Sequence, residues 1–118
     1  MDKFIFYLST CSTCTRIIKE LDVDNSFYMQ DIKTEKIRPE QLDEMAKMAG
    51  SYEALFSRKA MKFRSMGLKE KTLSENDYRQ LILEEYTFLK RPVLIYKGAI
   101  FIGNSKSVVS LAKEKIHS

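Results

Sequence analysis

Apolar residues fall in short runs separated by longer amphipathic stretches, and the spacing inside each stretch decides what it forms. Lys3 to Leu8 is rich in aromatic and branched side chains, which predicts a buried strand ending just before a cysteine. Cys14, Ile17, Ile18 and Leu21 then recur at i, i+3, i+4 and i+7, the stripe of one helix face, so a helix starts near Ser12 with Cys11 at its N-terminus. Asp24-Asn25-Ser26 is turn chemistry, and Phe27 to Ile32 predicts a second strand. Strand, helix and strand in about thirty residues make a β-α-β unit, whose right-handed crossover sets the strands parallel.

The middle of the chain is helical and more polar. Pro39 suits a first helical position, Leu42, Met45, Ala46 and Ala49 form an apolar face, and Gly50 is a natural stop. Ser51 can cap a short helix running through Phe56. Ser74 with Asp77 three residues on resembles a capping box ahead of a helix carrying Tyr78, Leu81 and Ile82, onto which Leu73 could staple. After Pro92, Val93 to Tyr96 and Ala99 to Ile102 flank Lys97-Gly98 and predict an antiparallel hairpin. Asn104 or Ser105 caps a last helix with Val108, Leu111, Ala112 and Ile116 facing inward. The order is β-α-β, a helical insertion at residues 36–88, then β-β-α, an α/β domain on a four-stranded mixed sheet.

With 118 residues, 44% of them hydrophobic, one real core is affordable and a second independent domain is not expected. The N-terminal apolar run is too short for a signal-peptide core, and no stretch approaches the roughly 20 apolar residues of a membrane span. A cytoplasmic protein with no membrane partner is expected. The net charge of +4 is mild, but residues 58–71 carry six cations against the single anion Glu70. A solvated helix face is the simpler account; an oxyanion, a thiolate or an acidic partner is the sharper one. No recognition helix or stacking platform accompanies these cations, so direct nucleic-acid binding is not expected.

Cys11 and Cys14 close almost no loop, so a disulfide between them would staple little, and in a reducing compartment the pair reads as chemistry. A thiol reacts as its thiolate, and Cys11 is placed where the unpaired N–H groups and positive dipole end of a helix converge. Cys14 lies one turn inside on the apolar face, shielded and less acidic. Cys11 is therefore expected to attack and Cys14 to resolve. Zinc would need about four ligands, and the chain offers these two cysteines and His117, which reads as a frayed terminal residue. Two inert buried cysteines are the duller alternative, but a C-x-x-C between strand and helix of a β-α-β unit is the context of a thioredoxin-like redox motif. In that architecture a proline before the third strand lies across from the first cysteine with its peptide bond cis. The sequence leaves open whether Arg91-Pro92 is cis or an ordinary trans bond.

Taken together, Tyr7-Leu8-Ser9-Thr10-Cys11-Ser12-Thr13-Cys14, Gly50 through Ala54-Leu55-Phe56-Ser57-Arg58-Lys59, Gly67-Leu68 and Leu89-Lys90-Arg91-Pro92-Val93 resemble the arsenate reductase (ArsC-like) branch of thioredoxin-fold proteins, which includes the Spx-type redox regulators. The resemblance covers nearly the whole chain and implies a thioredoxin-like fold. It matches Cys11 to the reductases' nucleophile and Arg58 and Arg91 to two arginines around the oxyanion, with Ser12, Thr13 and Pro92 expected to line the substrate. Guanidinium groups pair bidentately with tetrahedral oxyanions and also stabilise a thiolate. No bound cofactor is implied; glutathione or a thioredoxin or glutaredoxin would serve as reductant for a small oxyanion or oxidised thiol substrate. Two departures matter. The glutaredoxin-coupled reductases carry a third arginine where this chain has Gly103, and they generally lack a second cysteine at the Cys14 position. Cys14 matches the Spx-type resolving cysteine instead, and Gly50 matches a glycine on the face with which those regulators bind the RNA polymerase α subunit. The resemblance therefore implies an arsenate reductase-like oxidoreductase, with a redox-sensing regulator that binds RNA polymerase as the alternative.

Overall fold

The computed structural model describes residues 1–118, which form two compact units: residues 1–36 with 91–118, and residues 37–90.

The first unit holds the sheet. Strands β1 (Lys3–Tyr7), β2 (Tyr28–Asp31), β3 (Val93–Tyr96) and β4 (Ala99–Ile102) lie in the order β2-β1-β3-β4. β1 and β2 are parallel, as a β-α-β crossover requires, and the other pairings are antiparallel, so the sheet is mixed. Helix α1 (Ser12–Leu21) makes the crossover and α5 (Lys106–Ile116) follows β4. Ile17 and Leu21 of α1 and Val109 and Ala112 of α5 pack with Ile5, Phe27 and Leu94 into one cluster, while Phe6, Val93 and Ile95, which alternate with Ile5 and Leu94 along the strands, are fully buried too. Burial on both faces explains why β1 and β3 read as nearly continuous apolar runs. The β3–β4 turn places Lys97 at φ 44° and Gly98 at φ 86°, the positive pair a tight hairpin needs.

Two sequence expectations for this unit need correction. Leu111 is 57% exposed, not inward-facing. Apolar residues at 108, 109, 111, 112 and 116 cover so much of the α5 circumference that two stripes are possible, and packing selects the one centred on Val109 and Ala112, about 130° from Leu111. His117 is not frayed either: it ends α5 with its N–H on the Lys113 carbonyl, and its Nε2 donates to the Leu21 carbonyl at 2.8 Å. That bond satisfies one of the carbonyls left over at the end of α1.

The second unit contains α2 (Pro39–Ala49), α3 (Met61–Ser65), α4 (Glu75–Glu84) and three short 3₁₀ turns, Glu53–Leu55, Leu68–Glu70 and Tyr86–Phe88. Pro39 opens α2 and Gly50 closes it at φ 96°, its N–H on the Ala46 carbonyl. Ser51 Oγ accepts the Ala54 N–H, and the Ser74–Asp77 capping box opens α4. Gln41, a polar side chain on the buried face of α2, is accommodated because its Oε1 accepts the Arg38 N–H. The core is aromatic: Phe56 is fully buried with ring centroids 4.9 Å from Tyr78, 5.0 Å from Phe88 and 6.1 Å from Phe63. Its neighbours are tied across the chain by Ser57 N–H to the Phe88 carbonyl and Lys90 N–H to the Leu55 carbonyl. Phe56→Ala would delete the ring all three others share, at about 3–5 kcal/mol, and a thermal melt should show the midpoint falling by about 10–20 °C. A loss under about 1 kcal/mol would mean the aromatic cluster repacks.

Candidate active site

At the carboxyl end of β1 the chain turns through Ser9 and Thr10, with the Cys11 N–H bonded to the Leu8 carbonyl at 3.0 Å. Cys11 takes extended backbone angles as the N-cap of α1, and its carbonyl accepts the Thr15 N–H at 3.1 Å. No acidic residue occupies the first turn of α1, so nothing there neutralises the positive end of the helix. Both thiols are free; Cys11 is half-buried and Cys14 is 1% exposed.

The surroundings push the two thiols apart. Burial alone would raise the Cys11 thiol, but the N–H of Cys14, the Cys14 thiol proton, the N–H of Thr13 and the charge of Arg91 together outweigh it and hold Cys11 below its ordinary value. These N–H groups act as oriented dipoles, since no side-chain capping bond closes on Cys11. Burial dominates at Cys14 and, with the neighbouring Cys11 sulfur, outweighs the Leu8 N–H and Arg91, pushing its thiol up to about 11. Cys11 is thus the acidic, accessible thiol and Cys14 the shielded one.

Arg91 and Pro92 lie in the same unit and their bond is cis, which decides the point the sequence left open. Pro92 is buried, and its carbonyl accepts the Gly103 N–H at 2.9 Å. Ser12 is exposed and Thr13 half-buried in the first turn of α1. Arg58 belongs to the second unit, where it donates to Glu53 Oε2 and the Tyr78 hydroxyl, both at 2.8 Å, and lies 5.6 Å from the centre of the Tyr78 ring. The cations of residues 58–71 are outward-facing: α3 buries none of its residues, Met61 is 89% exposed, and Arg58, Lys59, Arg64 and Lys69 line an open cleft of about 910 Å3.

One residue that matters here went unmarked in the sequence. Asp31, at the end of β2, accepts the Ser9 hydroxyl at 2.5 Å and so grips the turn that leads into Cys11. Nothing in the local pattern signals this, because the contact joins residues 22 positions apart.

Gly103 adopts φ 92°, a region that side-chain-bearing residues rarely enter, although an added Cβ would meet nothing within 4 Å. A side chain here would therefore meet strained backbone, not a clash at its Cβ. Gly103→Ala and Gly103→Arg should each lose about 1–3 kcal/mol by chemical denaturation, and by similar amounts. A clearly larger loss for arginine would show that the side chain itself is not accommodated.

The fold and the cysteine-bearing helix start define a thioredoxin-like α/β protein. More particularly, residues 6–111 match the ArsC family, and the chain belongs to it. No curated protein matches the sequence. Among solved structures, the chain resembles a protein named YFFB with a TM-score of 0.77 at 22% identity, covering 93% of this chain and 97% of that one. It resembles an arsenate reductase from Vibrio cholerae with a TM-score of 0.71 at 17% identity, covering 99% and 96%. An arsenate reductase (ArsC) related protein from Brucella melitensis gives 0.69 at 24% identity, covering 91% and 90%. At these identities the likeness is one of fold.

Proposed function

We propose that this protein is a thiol–disulfide oxidoreductase of arsenate reductase type, with Cys11 as nucleophile and Cys14 as resolving thiol. The observation that carries the reading is the opposed setting of the two thiols, Cys11 lowered at the start of α1 and Cys14 raised one turn inside it. In the reaction the Cys11 thiolate attacks As(V) of arsenate and an arsenate oxygen leaves as water after taking up protons. Cys14 then gives up its proton and attacks the Cys11 sulfur. The S–As bond breaks with its electron pair going to arsenic, so arsenic leaves as As(III) and both cysteines end as one disulfide. An external dithiol or glutathione reduces that disulfide.

Arg91 supports the first step by stabilising the thiolate and offering a guanidinium to the oxyanion. Ser12, Thr13 and Pro92 are assigned to substrate contact, and Arg58 enters as a second anion-holding residue from the family resemblance alone. With Gly103 at the place of a third arginine, transition-state charge is less well compensated than in the glutaredoxin-coupled reductases, so weak arsenate turnover is expected.

The decisive test uses pre-reduced protein without added thiol. Arsenite should form with loss of two thiols per arsenite and appearance of a Cys11–Cys14 disulfide by mass spectrometry. The second cysteine also favours an Spx-like switch in which the same disulfide gates binding to the RNA polymerase α subunit. No arsenite, a disulfide that still forms reversibly with peroxide, and redox-dependent pull-down of purified α subunit would establish that reading in place of the first.

A further inference from the structure

The register of the parallel pair sets Asp31 of β2 beside Tyr7, the last residue of β1. Both strands end there, and the chain after each is bonded to the other: the Ile32 N–H donates to the Tyr7 carbonyl at 3.0 Å, while Ser9 turns back onto Asp31. The Asp31 carboxylate collects three donors, the Ser9 hydroxyl on Oδ2 at 2.5 Å and the N–H groups of Ser9 (3.4 Å) and Lys33 (3.2 Å) on Oδ1. Its backbone carbonyl takes the N–H groups of Thr34 and Glu35, at 3.1 and 2.7 Å. Asp31 is thus fixed on the sheet side, and Ser9 is held by it.

Ser9 is the second residue of the turn from Leu8 to Cys11, closed by the Cys11 N–H on the Leu8 carbonyl. Leu8 is buried and its N–H acts on the Cys14 sulfur. One end of the turn therefore influences the resolving thiol and the other end is the attacking one. Anything that frees Ser9 loosens both.

We propose that Asp31 is a positioning residue for the Cys11–Cys14 pair: its carboxylate pins Ser9 and so holds the Leu8–Cys11 turn that places both sulfurs at the start of α1. The inference rests on Cys11 being the working thiol, but not on which substrate it attacks. The expected direction is distinctive. A carboxylate's negative charge can only disfavour a nearby thiolate, so removing the charge with the turn intact would lower the pH at which Cys11 ionises. Removing the pin instead lets the Cys11 sulfur drift from the Thr13 and Cys14 N–H groups and from Arg91, which raises that pH.

The test follows the rate of Cys11 alkylation by iodoacetamide across pH, read by mass spectrometry on full-length protein, beside thermal melts. Asp31→Ala and Ser9→Ala should each raise the Cys11 midpoint by about half a pH unit or more and slow alkylation at neutral pH several-fold. The double variant should be no worse than Asp31→Ala alone, since the Ser9 hydroxyl then has no carboxylate left to lose. Ser9→Thr, which keeps the hydroxyl, should stay close to wild type. An unmoved or lowered midpoint in folded Asp31→Ala, or additive effects in the double variant, would overturn the proposal even if stability fell. Ser9 is exposed, so Ser9→Ala decides the matter should Asp31→Ala not fold. A wild-type Cys11 that is no more acidic than a free thiol would instead sink the functional reading beneath it.

Discussion

Iodoacetamide at neutral pH should label Cys11 and leave Cys14 untouched in the folded, reduced protein, with a selectivity of several orders of magnitude. Two effects act in the same direction. A thiol pushed up to about 11, as Cys14 is, is ionised at pH 7 in only about one molecule in ten thousand. Cys11 is held below its ordinary value, so its thiolate fraction exceeds that of a free cysteine at the same pH. Access reinforces ionisation, because Cys14 is 1% exposed while Cys11 is half-buried at the helix start. As pH rises the Cys11 rate should level off first, and Cys14 should react only as the solution nears the strongly alkaline range or the protein opens. Peptide mapping after short pulses reads both rates in one sample. Comparable labelling of the two, or Cys14 first, would contradict the assignment of attacking and resolving roles.

The opposed settings of the two thiols were legible in the sequence because they depend on local geometry. A C-x-x-C at the start of an amphipathic helix puts its first member at the end with unpaired N–H groups and its second on the buried stripe, whatever the rest of the chain does. The hairpin at Lys97-Gly98 and the ends of α2 were readable for the same reason, since Gly98 and Gly50 answer needs arising within a few residues. What escaped was nonlocal. Asp31 looks like any polar residue at a strand end until the parallel register sets it beside Tyr7. His117 looks like a loose terminus until α5 lies along α1 and the Leu21 carbonyl needs a donor. Leu111 turns outward because α5 carries apolar residues on more than one stripe, and only the sheet it packs on chooses between them. Gly103, whose N–H closes onto the Pro92 carbonyl just past the β3–β4 pairing, takes a positive φ that a single sequence does not display.

Cys14→Ser should abolish arsenite release from pre-reduced protein with no thiol added, while Cys11 remains reactive. The reason lies in when Cys14 becomes useful. In the resting protein burial is the largest influence keeping it protonated, and the proton it shares toward the Cys11 sulfur and the charge developing there add to this. Once Cys11 is bonded to arsenic, the second and third influences vanish while Arg91 and the Leu8 N–H still favour the Cys14 thiolate, so its acidity rises only after the nucleophile is committed. A serine hydroxyl keeps the shape of the site but cannot displace arsenic from sulfur to form a disulfide. The variant should therefore stop at the Cys11 adduct and release no arsenite. Added glutathione supplies the missing sulfur from solution: its thiolate takes the place of Cys14, releasing arsenite and leaving a glutathione adduct on Cys11 that is visible as a mass increase on its peptide. Arsenite release by pre-reduced Cys14→Ser at the wild-type single-turnover yield, with no thiol added, would show that Cys14 is not the resolving thiol.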